Sequence, residues 1–158
     1  MRKLLNLTLS FFAFFLSAQV QAQDHSMTGH ILLNQNHLVW KDGPASLPKG
    51  AKIAVLEGDM SKEGPFTIRL MVPANYKIYP HWHPAIEHVT VVQGTFYMGA
   101  GEQFNEASAT KLSTGGFAVM PVKHAHYAFT KGKSIIQLHG VGPWGITYVN
   151  EAHDPRKK

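Results

Sequence analysis

The sequence predicts an all-β domain, a sandwich or closed barrel of short strands. Three observations carry that expectation. After residue 23 no segment sustains a 3.6-residue hydrophobic period over three turns, so amphipathic helices have no basis. Short β-branched and aromatic runs recur instead, at a spacing of roughly 8–12 residues. The 14 Gly and 9 Pro fall largely between those runs, where turns need them. A length of 158 residues holds one domain, and 44% hydrophobic against 16% charged residues is the balance of a well-cored globular protein. The absence of Cys excludes disulfide scaffolds, thiolate metal sites, thiol nucleophiles and iron–sulfur clusters. Ten His is the one compositional anomaly, and function is sought there.

Taken in chain order, the first element is an address. Arg2 and Lys3 precede an apolar run from Leu4 to Leu16, and Val20 and Ala22 occupy the two positions that a signal peptidase reads. The run is too short to cross a bilayer, which takes about 20 residues. Residues 1–22 are therefore expected to be a signal peptide cleaved after Ala22, sending the chain to the periplasm or outside the cell without a stable membrane anchor. Cleavage leaves 13 basic against 10 acidic residues, a net charge of +3 rather than +5. The only basic cluster is Arg156-Lys157-Lys158, a solvated tail, so nucleic acid is not an expected partner. Residues 23–50 are broken by Gly43-Pro44 and Pro48-Lys49-Gly50 and read as an N-terminal arm. Residues 51–150 form the β-barrel and 151–158 a tail. Strands are expected at His37–Trp40, Lys52–Glu57, Phe66–Val72, Glu87–Val92, Thr95–Gly99, Phe117–Met120, His126–Thr130, Ser134–His139 and Ile146–Val149. Gln93-Gly94, Thr114-Gly115-Gly116 and Lys131-Gly132-Lys133 supply turns.

The chemistry lies in His81-Trp82-His83-Pro84-Ala85-Ile86-Glu87. In extended chain His81 and His83 point the same way, so two imidazoles share a face and Glu87 adds an oxygen donor from the next strand. His126, in Pro121-Val122-Lys123-His124-Ala125-His126, is a fourth donor from a distant strand. A His-x-His pair is expected about 0.6 times by chance at this composition, and alone it is weak. Requiring Glu87 four residues on and Gly94 seven beyond lowers the expectation to roughly 0.002.

With these residues the chain resembles the cupins. That family's first motif, Gly-x5-His-x-His-x3,4-Glu-x6-Gly, is met by His81, His83, Glu87 and Gly94, with Asn75 in place of the opening Gly. Its second, Gly-x5-Pro-x-Gly-x2-His-x3-Asn, is met by Gly115, Pro121 and His126, with Lys123 and Thr130 replacing the internal Gly and final Asn. The resemblance covers roughly Ile53 to Val149. It implies a single jelly-roll barrel (a double-stranded β-helix) and one divalent transition metal per chain (Mn, Fe, Ni or Zn) on His81, His83, Glu87 and His126. Small exported bacterial cupins are the most similar group, and pairing through N-terminal strands implies a homodimer.

Two functions fit such a site. One is a metal-dependent enzyme of dioxygenase, decarboxylase, isomerase or lyase type, acting on a small oxygen-containing molecule. The other is a non-catalytic cupin that binds a small molecule or metal as a sensor or scavenger. Proton-transfer candidates are His124, His139 and Tyr97. Gln137, His139 and Tyr97 are candidate substrate-pocket residues, and Tyr127, Phe129 and Trp82 candidate apolar walls. His88 follows Glu87 and is expected to face away from the metal.

Overall fold

The computed structural model describes residues 29–158. The expected signal peptide and its cleavage after Ala22 lie outside the described residues. Among the described residues no helix is long and apolar enough to cross a membrane. The chain forms β1 (Lys41–Asp42), β2 (Lys52–Glu57), β3 (Gly64–Val72), β4 (Lys77–Trp82), β5 (Glu87–Gln93) and β6 (Thr95–Ala100). It continues with β7 (Thr110–Ser113), β8 (Phe117–Met120), β9 (His126–Phe129), β10 (Ser134–Gly142) and β11 (Thr147–Tyr148). A six-stranded sheet runs β1-β2-β3-β10-β5-β8 and a five-stranded sheet runs β11-β4-β9-β6-β7, with antiparallel pairing throughout.

Alternation decides what each strand buries. On β3, Phe66, Ile68, Leu70 and Val72 are buried and the residues between them are half-exposed. Val89 and Val91 of β5, Ile136 and Leu138 of β10, and Phe96 and Met98 of β6 join them in one core between the sheets. β9 is buried on both faces. Its Ala128 faces the core, while Tyr127 and Phe129 face outward beneath Phe104, with ring centroids 5.1 and 5.8 Å away.

Three elements differ from expectation. His37–Trp40 is not a strand: Gln35–His37 is a 3-10 turn closed by the His37 N–H on the Asn34 carbonyl, and pairing begins only at Lys41. The Asn34 side chain makes no bond to this turn, which is closed by backbone bonds alone. β4 goes unread in the sequence because Pro80 argues against a strand interior. The fold accommodates Pro80 at a register shift between Ile78 and His81, where no ladder N–H is needed, and its carbonyl accepts from Val149 N–H at 2.9 Å. β7 is a polar edge strand in which only Leu112 is half-buried, so it has little hydrophobic signature.

The two glycine replacements in the motifs are backbone events. Asn75 (φ 57°) and Lys123 (φ 56°) are the non-glycine residues in the left-handed region among those described. Asn tolerates that region through local side-chain bonding, whereas Lys pays the full Cβ penalty. Thr130, standing for the Asn, is buried and ties two segments together: its hydroxyl donates to the Pro73 carbonyl at 2.7 Å and accepts the Tyr76 N–H at 3.1 Å.

Gly99 is opposite Tyr127 in the β6–β9 register, and a Cβ there would overlap the phenol ring. The ring cannot retreat freely, because its hydroxyl donates to the Asn105 carbonyl at 2.7 Å. Gly99→Ala is expected to cost about 1–3 kcal/mol in urea denaturation, while Gly132→Ala, which meets nothing within 4 Å, changes the midpoint little. Equal midpoints for the two variants would refute the packing account.

Candidate metal centre

His81 lies on β4, His83 just beyond it, Glu87 opens β5 and His126 opens β9. The chain crosses from one sheet to the other between His83 and Glu87, so histidines from the five-stranded sheet meet a carboxylate from the six-stranded one. His81 and His126 are register partners on adjacent strands. All four side chains are buried. The imidazole ligand atoms of His81, His83 and His126 lie within 4.8 Å of one another. Glu87 flanks them, with Oε1 3.5 Å from His83 Nε2 and Oε2 3.3 Å from His126 Nε2.

The hydrogen bonds behind the rings set their protonation. His81 Nδ1 lies 2.7 Å from the Tyr79 carbonyl, His83 Nδ1 2.7 Å from the Gly145 carbonyl, and His126 Nδ1 2.9 Å from the His124 carbonyl. A carbonyl only accepts, so each Nδ1 carries the proton and each Nε2 presents a lone pair. Burial, together with neighbouring His126 and His83, holds the His81 pKa well below the usual 6.5. Burial also lowers His83, against an opposing pull from the Glu87 charge. Neutral imidazoles with carbonyl-supported Nδ1–H groups are the form in which histidine ligates metal.

His83 Nε2 and His126 Nε2 are buried without any hydrogen-bond partner. Three lone pairs and a carboxylate thus converge with no donor among them, an arrangement that is costly unless a cation satisfies it. The residues fit a divalent ion, and mixed nitrogen and oxygen donors suit Mn, Fe, Ni or Zn.

The cage lines a cavity of about 250 Å³ with largely apolar walls, among them Ile68, Val89, Met98 and Leu138. Several predicted pocket residues are elsewhere. Ile136 and Leu138 of β10 face the cavity, so alternation sends Gln137 and His139 to the outer surface. There Gln137 accepts from Arg69 Nε at 3.1 Å, and His139 stacks on His88 at 4.7 Å. Tyr97 is also on the outer face, stacked on Phe129 at 4.7 Å, because Phe96 and Met98 take the inward positions. The His124 side chain is exposed and contributes its carbonyl, not its ring. Tyr127, Phe129 and Trp82 do not line the cavity either. His88 faces away from the cage, as expected from its neighbour Glu87.

The residues the sequence did not single out come from loops. Trp144 stacks on His83 with centroids 4.1 Å apart, and the adjacent Gly145 carbonyl holds the same ring. Ser46 and Leu47 from the arm, Met60 and Ser61 from the β2–β3 connection, and Arg156 from the tail complete the lining.

No family model and no curated protein sequence matches the chain. Solved structures do. The chain is similar to the polyketide cyclase RemF from Streptomyces resistomycificus at 15% identity and TM-score 0.63, covering 80% of this chain and 89% of that one. It is similar to a proposed acetylacetone dioxygenase from Methylibium petroleiphilum at 18% identity and TM-score 0.61, covering 82% and 88%. An RmlC-like cupin from Shewanella frigidimarina matches at 15% identity and TM-score 0.56, covering 72% and 91%. Identities this low speak for shared fold alone.

The depressed His81 and His83 pKa values carry a sign for stability. In the metal-free protein the unfolded imidazoles take up protons near 6.5 while the folded ones resist, so the unfolded state binds more protons as pH falls. Their contribution is full above 6.5 and is lost progressively below it, toward the folded values. Metal-stripped protein should melt at falling temperature from about pH 7.5 to 5, and a His81→Gln/His83→Gln variant should show a flatter profile. Parallel profiles for the two proteins would count against neutral buried imidazoles.

Proposed function

The chain has the cupin fold, and from that premise we propose that it is an exported metal-dependent enzyme acting on a small oxygen-containing molecule. The observation that carries the reading is the convergence of three buried histidines, two of their Nε2 atoms without a partner, with the Glu87 carboxylate in the lining of an apolar cavity. His81, His83, Glu87 and His126 would hold the ion, which would supply Lewis-acid or redox chemistry toward an oxygen-bearing ligand. The apolar walls exclude water and orient the body of that ligand. Among the described residues Glu87 is the one carboxylate lining the cavity. With His124, His139 and Tyr97 outside it, the group that holds or moves a proton beside the substrate is a Glu87 oxygen.

The same outward placement of His124, His139 and Tyr97 favours a second reading, ligand binding without turnover by a sensor or scavenger. Glu87→Gln separates the two. In an enzyme the variant keeps its fold and loses turnover by about 10²–10⁴-fold, whereas in a binding protein no substrate is consumed by either form. Export through residues 1–22 and a homodimeric state belong to the same proposal.

One preparation tests the core of it. Expressed with its leader and purified from the periplasmic fraction without chelators, the protein should begin at Gln23 by intact mass and scatter light as a dimer. Elemental mass spectrometry should find near-stoichiometric Mn, Fe, Ni or Zn, lost in a His81→Ala/His83→Ala variant, and chelation should lower the melting temperature. A wild type without metal even after reconstitution would sink the enzyme reading.

A further inference from the structure

We infer that Arg156, on the C-terminal tail, anchors an acidic group of the ligand. The cavity then takes a small, mainly apolar molecule with a metal-binding oxygen group at one end and a carboxylate at the other. This rests on the metal-centre reading above.

Apart from the cage, Arg156 is the only charged residue lining the cavity among those described. Its guanidinium is held, not loose. The Asp154 carboxylate accepts from Nε at 2.8 Å and from Nη2 at 2.7 Å, and the Ile146 carbonyl accepts from Nη2 at 3.2 Å. Asp154 is itself 6% exposed and also caps the Arg156 backbone N–H. An arginine has five N–H donors, and these bonds occupy the three on Nε and Nη2. The Nη1 edge has no protein acceptor among the described residues, while the side chain is 43% exposed. A rigid arginine with one free edge is pre-organised to bind a carboxylate, because the side-chain entropy is already spent.

Arg156 and the cage are built on the same short segment. The Gly145 carbonyl holds the His83 ring, and the next carbonyl, that of Ile146, holds Arg156. Successive carbonyls are at most about 5 Å apart, so Nη2 of Arg156 lies within about 11 Å of His83 Nδ1. That spacing suits one small molecule that reaches both. A mere tether for the tail would need the Asp154 pair and the Ile146 bond, but it would not need to border the cavity. The tail has a second ion pair, Lys157–Glu151, that does not border it.

The test compares hydroxamates, whose head binds metal, with and without a distal carboxylate. Hexano- and octanohydroxamic acid are set against the monohydroxamates of adipic and suberic acid, by calorimetry on zinc-loaded full-length protein. The carboxylate member of at least one pair should bind about tenfold tighter in the wild type. Arg156→Met should abolish that preference while leaving the affinity of the plain hydroxamates unchanged. Arg156→Lys should restore part of it, which also covers the case in which Arg156→Met is poorly folded. Equal affinity within each pair in the wild type, with binding lost in His81→Ala, overturns the role of Arg156 and leaves the metal centre standing. Binding that survives His81→Ala overturns the metal centre, while the preference within each pair still reads Arg156. Absence of binding by every probe overturns both.

Discussion

Placing three imidazoles and a carboxylate inside one apolar barrel is tolerable only if their lone pairs face something positive. Much of the molecule serves that constraint. The carbonyls of Tyr79, His124 and Gly145 take the Nδ1 protons, so the remaining lone pairs cannot be satisfied from behind the rings. His83 Nε2 and His126 Nε2 are left buried and unpartnered, facing Glu87. Two of the three supporting carbonyls come from the residue two positions before the histidine, on the same strand or its entry turn. Local chain geometry therefore fixes His81 and His126, and a long-range loop fixes His83. Second carbonyl partners of this kind set ring orientation and ligand basicity together.

The strongly directional part of the site was legible because strands make it so. Period-two geometry brings His81 and His83 together and puts Glu87 and His88 on opposite faces, and the structure shows both consequences. Alternation alone does not say which face is inside. Gln137 and His139 were read as cavity residues, yet the cavity is apolar, so the apolar positions Ile136 and Leu138 take it. β9 defeats the rule differently, since Phe104 covers its outer face and buries Tyr127 and Phe129 away from the cage. Contacts with no periodicity, such as Trp144 on His83 or Arg156 at Ile146, leave no pattern in one sequence. The motif departures also make physical sense afterwards. Asn75 and Lys123 keep the left-handed backbone that a glycine would adopt, so the turns survive without glycine.

The cage and the loop-borne part of the cavity lining have different origins in the chain, and this bears on how one fold hosts many chemistries. Cage residues lie on or beside β4, β5 and β9, where ladder pairing holds them in register. Part of the cavity lining comes from segments outside those strands: Ser46 and Leu47 from the arm, Met60 and Ser61 from a connection, Arg156 from the tail. Among the described residues, polar bonds tie the arm and the C-terminal tail to the segment around β11. The Tyr148 hydroxyl donates to the Ser46 carbonyl at 2.9 Å, and Arg156 donates to Ile146. Changing a residue of these segments leaves the ladders intact, whereas a change at His81, Glu87 or His126 falls on a residue held in a ladder. Side chains of the terminal segments are therefore free to vary, while the arrangement of His81, Glu87 and His126 is bound to the sheets.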